Sequence, residues 1–142
     1  MLRNPNEHEL RPRVLLGEDD AEMRSVLSEA LREKGYGVVE CADGLRVLER
    51  LSSVVLSSAV TSRDPENFAL IISDIRMPGV NGMSILEGVQ LFEHFPPVIL
   101  ITAFGDEETH AEATRLGAAA MFDKPFDIVD LLDKVEELAP IA

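Results

Sequence analysis

An α/β fold, with a parallel sheet wrapped on both faces by helices, is what this sequence predicts, and three observations carry it. Five short apolar runs alternate with five stretches of helical periodicity between residues 13 and 138, the pattern of repeated strand–helix units. Several of these runs, FALIIS and PVILIT above all, are apolar at nearly every position, as strands covered on both faces must be. The chain has 142 residues, 46% of them hydrophobic, which suits one domain with a sizeable core and excludes disorder for most of its length.

Residues 1–12 are polar with two prolines and read as a flexible N-terminal tail before a domain spanning 13–142. Arg13 to Gly17 (RVLLG) is the first strand. Asp20 can cap a helix to about Lys34, with Met23, Val26, Leu27, Ala30 and Leu31 on one face and Gly35 as its stop. Tyr36 to Cys41 is the second strand, and Asp43-Gly44 turns the chain into a helix from about Leu45. Phe68 to Ser73 is the third strand, Met83 to Phe92 a helix, and Pro97 to Thr102 the fourth strand. Asp106 to Leu116 is a helix closed by Gly117, Ala118 to Phe122 a short fifth strand, and Asp127 to Leu138 the last amphipathic helix.

Composition removes whole classes of function. Twenty-six acidic residues against thirteen basic ones give a net charge of −13, the wrong sign for nucleic acid or an anionic membrane surface. One Cys and three scattered His offer neither an internal disulfide nor zinc-ligand spacing, so Cys41 reads as a small buried hydrophobe. No apolar stretch reaches the roughly 18 residues of a membrane span. The opening segment has no apolar core of a signal peptide, so a cytoplasmic location is the expectation.

Right-handed crossovers bring the C-terminal ends of the strands to one edge of the sheet, where open α/β sheets bind ligands. Glu18, Asp19 and Asp20 follow the first strand, Asp74 the third, Thr102 ends the fourth, and Lys124-Pro125 follows the fifth. Each alone is ordinary, as a cap, a turn former or a solvated charge. Together they crowd carboxylates, a hydroxyl and an ammonium around one edge. Two carboxylates 4 Å apart repel by about 4 kcal/mol at an effective dielectric near 20. Such a site wants a divalent cation, and all-oxygen ligands favour Mg²⁺. The hydroxyl and ammonium suit a phosphoryl group, and one carboxylate can act as nucleophile to give an aspartyl phosphate. No His, Cys or Ser is paired with an activating base, so a hydrolytic triad is not supported.

With these residues in place, VLLGEDDAEMR, IISDIRMPGVNGMSIL, VILITAFGD and MFDKPF resemble, in order and placement, the receiver domain of two-component (phosphorelay) response regulators. The resemblance covers about residues 13–139. It implies a flavodoxin-like sheet in the order 2-1-3-4-5. It implies that Asp74 accepts a phosphoryl group from a histidine kinase or phosphotransfer protein. Asp19 and Asp74 would ligate Mg²⁺ with the backbone carbonyl of Arg76, with Glu18 completing the acidic pair. Thr102 matches the switch hydroxyl, Lys124 the phosphate-pairing lysine, and Lys124-Pro125 a bond that is cis in the family. Movement of Thr102 toward the phosphoryl oxygens would reshape the face of the fourth helix, fifth strand and fifth helix, where output partners bind. The faces of helices one and five are expected to meet the phosphodonor.

Four departures from the family pattern stand out. Glu18 replaces the usual Asp and acts through a longer arm. Met121 stands where the family carries an inward-swinging aromatic, and strand alternation points Phe122 the other way. Arg76 and Phe104 lie two residues after Asp74 and Thr102, along the route of hydrolytic water, which suggests slow self-dephosphorylation. Finally, Asp43 to Asp74 is about a dozen residues longer than usual. The surplus around 52–68 reads as an insertion or an extended second helix, with Leu45, Leu48, Leu51, Val55 and Ala59 at helical spacing, and as a candidate partner or homodimer surface.

The leading expectation is therefore a signalling switch rather than an enzyme, one that controls an output protein or domain. No DNA-binding stretch follows the last helix, so a stand-alone regulator or a receiver cut from a longer protein is expected. The main alternative is a pseudo-receiver that binds partners without phosphorylation. An aspartyl-phosphate phosphatase is weakened by Arg76, where such enzymes commonly place a second acid. A flavodoxin-like cofactor carrier is weakened by the acidic triplet, which would repel a phosphate.

Overall fold

The computed structural model of the protein describes residues 11–58, 68–90, 95–103 and 105–141, with the backbone alone for 52–58. Five strands, β1 (Arg13–Gly17), β2 (Gly37–Cys41), β3 (Leu70–Asp74), β4 (Val98–Thr102) and β5 (Ala120–Asp123), form one sheet in the order β2-β1-β3-β4-β5. All four pairings are parallel. The helices are α1 (Ala21–Glu33), α2 (Gly44–Ser58), α3 (Gly82–Val89), α4 (Glu107–Arg115) and α5 (Ile128–Leu138). Among the described residues, no helix is long and apolar enough to cross a membrane.

Alternation along the strands divides the core in two. Val14, Leu16, Leu70, Ile72, Ile99 and Ile101 face Leu27 and Leu31 of α1 and Leu131 and Val135 of α5. Leu15, Ile71, Val98 and Leu100 point the opposite way, with Cys41, against Val47 of α2, Ile85, Leu86 and Val89 of α3 and Ala113 of α4. β3 and β4 are buried at every position, which is why their sequences lack polar alternation.

The helix starts follow capping chemistry. Asp20 accepts from the amides of Glu22 and Met23, Asn81 from Ser84, Asp106 from Thr109 and Asp127 from Val129. Gly35 and Gly117, with φ of +104° and +92°, end α1 and α4 in the left-handed region that favours glycine.

Two expectations need correction. Val26 is 44% exposed rather than part of the core face of α1. Ser28 takes the buried place beside Leu27 and Leu31, because the stripe that meets the sheet follows positions 24, 27, 28 and 31 of the 3.6-residue period. The strand edges shift by one or two residues, β3 beginning at Leu70 and β5 at Ala120. The second helix ends at Ser58, and residues 59–67 of the surplus segment, like residues 1–10 of the expected tail and Phe104, lie outside the described residues.

Candidate functional site

The β1 terminus lies beside that of β3, with Gly17 opposite Ser73, so Glu18 and Asp19 emerge next to Asp74. Asp74 is the last residue of β3 and is 5% exposed. On its other side Asp74 pairs with Ile101, which puts Thr102, itself buried, one step further along the same edge. The Lys124 amide donates to the Thr102 carbonyl at 2.8 Å, tying the end of β5 to that of β4. The Lys124–Pro125 peptide is cis.

The charged side chains meet directly. Lys124 Nζ donates to Asp74 Oδ2 at 2.6 Å and to Glu18 Oε1 at 3.0 Å. Asp74 Oδ1 accepts from the Arg76 amide at 3.1 Å, and Glu18 Oε2 from the Asp20 amide at 3.2 Å. Glu18 is 1% exposed. Burial pushes its carboxyl up to about 7, against the opposing pull of the Lys124 and Asp20 hydrogen bonds. Burial also draws the Lys124 ammonium down, but its bonds to Asp74 and Glu18 outweigh that and hold it above the ordinary lysine value. The lysine is thus a fixed cation between two buried carboxylates.

Carboxylate oxygens of Glu18, Asp19 and Asp74 lie within 4.8 Å of one another, with Asp19 exposed and the other two buried. Three hard oxygen donors with one solvent-facing side fit Mg²⁺, which keeps several of its waters and is held by few carboxylates. Nitrogen and sulfur donors are absent from this cluster.

Other residues singled out in the sequence fall around this centre. Arg76 is exposed and shares with Thr102, Ile75, Met83, Glu108 and Thr109 the wall of a pocket of about 230 Å³. Met121 pairs with Leu100 and packs on the α2–α4 side of the sheet. Phe122 packs on the opposite side, its ring 5.8 Å from that of Phe126. One contributor had no signal in the sequence: Arg24 Nη1 donates to the Glu18 carbonyl at 2.7 Å, fastening the β1–α1 turn. An arginine four residues after a cap is an ordinary surface residue until the turn folds back over it.

This edge of a parallel sheet gathers three acidic side chains, a buried hydroxyl and a lysine, and comparison with known sequences says which family has it. The response regulator receiver domain profile matches residues 14–136, so the chain belongs to that family. It is 30% identical over 132 residues to Sporulation initiation phosphotransferase F of Bacillus subtilis, covering 93% of this chain and 97% of that protein. It is 34% identical to the DNA-binding transcriptional regulator NtrC of Escherichia coli K12, covering 87% of this chain and 24% of that protein. A CheY-like receiver domain protein from Methanospirillum hungatei superposes with a TM-score of 0.76 at 25% identity, over 89% of this chain and 92% of that one. The response regulator TrrA of Thermotoga maritima, solved in complex with Mg²⁺-BeF, gives 0.72 at 26% identity, over 89% of this chain and 98% of that one.

Proposed function

We propose that Asp74 accepts a phosphoryl group from a phosphohistidine of a kinase or phosphotransfer protein, and that the domain thereby switches the surface it offers an output partner. The carrying observation is the contact of Lys124 with Asp74 inside a cluster of three carboxylates at the edge of the sheet. In the reaction an Asp74 carboxylate oxygen forms a bond to phosphorus as the donor's N–P bond breaks, and the electron pair leaves with the imidazole nitrogen. Glu18, Asp19, Asp74 and the Arg76 carbonyl would hold Mg²⁺, which when bound supplies positive charge to the transferred oxygens. Lys124 is placed to pair with one of those oxygens. Thr102, buried at the end of β4, supplies a hydroxyl that can follow another, drawing the turn after β4 with it. Arg76, on the pocket wall shared with Thr102, narrows the approach of hydrolytic water and lengthens the phosphoryl lifetime.

The donor is expected beside this centre. A groove of about 300 Å³ lined by Asp20, Glu22, Met23, Val26, Phe126 and Ile128 opens between α1 and the β5–α5 turn. Asp20 adjoins Asp19, and Phe126 lies two residues after Lys124, so a protein seated there brings its histidine to Asp74. A panel of phosphohistidine proteins tests the reading: radiolabel should move from at least one of them to the wild type and not to Asp74→Asn. Label reaching Asp74→Asn equally would overturn it.

A further inference from the structure

The chain just beyond Thr102, before α4, has a strap of its own. On α4, His110 Nε2 lies 2.9 Å from Asp123 Oδ1 and 3.0 Å from Oδ2. Asp123 is the last residue of β5 and stands opposite Thr102 in the β4–β5 register. Gly105, in the turn between β4 and α4, runs directly beneath this pair. A Cβ at that position would overlap Asp123 Oδ1 and lie 2.7 Å from His110 Nε2, so only a glycine backbone passes there without displacing the two side chains.

We infer that His110 and Asp123 form a latch over Gly105, just before α4, that tightens when the imidazole takes a proton. The pair spans 13 residues and joins α4 to β5. Among the described residues, the charged groups near the ring are Asp123 from β5 and, on its own helix, Asp106 and Glu107 one turn earlier. Asp106, the N-cap, sits below the usual carboxylate range chiefly through its Thr109 hydrogen bonds. All three neighbours are carboxylates, so a neutral ring makes one hydrogen bond to Asp123, while an imidazolium makes a charge-assisted one. Both side chains are partly exposed, 38% and 50%, so the strap is breakable, as a switch restraint has to be. His110 and Asp123 are positioning residues here; neither touches Asp74.

The consequence for switching rests on the phosphoacceptor reading above, but the latch itself does not. Amide exchange of Ala103, Gly105 and Asp106 in the unphosphorylated protein, expressed as protection relative to the unstructured chain, tests it between pH 5 and pH 8. Wild-type protection should be several-fold higher at the acid end, and His110→Ala should lower protection and abolish that step. Asp123→Asn keeps the size and a hydrogen-bonding group while removing the charge, so it should flatten the pH profile. Equal protection and equal pH profiles in all three proteins would overturn the latch. With a small phosphodonor and Mg²⁺, His110→Ala should take up phosphoryl a few-fold faster than wild type at pH 6. An unchanged uptake rate would overturn the link to switching. No uptake by any of the proteins would count against the phosphoacceptor reading, and the exchange data would still decide the latch.

Discussion

Replacing Glu18 by glutamine removes a buried charge while keeping the size and shape of the side chain. Glu18 is 1% exposed, and burial raises its carboxyl from 4.5 to about 7. The folded chain therefore holds this proton to higher pH than the unfolded one. The stability that goes with the protonated form is full below about pH 4.5 and is lost as pH rises through about 7. At about 1.36 kcal/mol per decade, that gap corresponds to about 3 kcal/mol missing from the metal-free protein at pH 8. A neutral amide would forgo this loss and leave Lys124 paired with Asp74 alone. Allowing for one weakened hydrogen bond, Glu18→Gln should be more stable than wild type by about 1–3 kcal/mol at pH 8, with little difference at pH 5. Urea unfolding followed by circular dichroism in EDTA measures both, and the other carboxylates cancel in the difference between the two proteins. Added Mg²⁺ should stabilise the wild type more than the variant. A gap of the same size at both pH values would refute the assignment of a buried, proton-holding Glu18.

Further expectations follow from single contacts. Tyr36 is 2% exposed and its hydroxyl donates to the Ala139 carbonyl at 2.7 Å, pinning the end of α5; Tyr36→Phe should lower unfolding stability by about 0.5–1.5 kcal/mol in urea titrations. Cys41 is buried and its thiol is pushed up to about 11 by that burial, so alkylation at pH 8 should follow the rate of unfolding rather than thiol chemistry. Alkylation as fast as that of a free peptide thiol would contradict its place in the core. Arg76→Asn, which clears one side of the Thr102 pocket, should shorten the lifetime of the phosphorylated protein by a factor of a few. An unchanged decay would remove the role given to Arg76.

What could be read from the sequence depended on the range of the forces involved. β3 and β4 were legible because a strand covered on both faces needs apolar residues throughout. The capping aspartates were legible because a cap acts over three residues. The residues of the strand ends followed from chain handedness, and so Glu18, Asp19, Asp74, Thr102 and Lys124 could be gathered from the sequence alone. Their contacts could not. Lys124 reaches Glu18 across 106 residues, and that distance depends on how the sheet twists and on the longer arm of glutamate. Val26 left its expected place on the core face because helix periodicity tolerates either Val26 or Ser28 at the edge of the stripe, and only packing against the sheet selects one. His110 carried no local signal, and Asp123, although inside the MFDKPF stretch, gave none for this contact, since their partnership exists only once α4 lies against β5.

The most direct measurement is the intact mass of the protein after incubation with a small phosphodonor, with and without Mg²⁺, beside Asp74→Asn. Mass is the suitable readout because the chain contains no Trp to report the event by fluorescence. A single phosphoryl adduct that requires Mg²⁺ and is absent from Asp74→Asn is the expected result. An adduct that forms equally on Asp74→Asn, or without the metal, would contradict the assignment of Asp74 as the acceptor in a metal-dependent site.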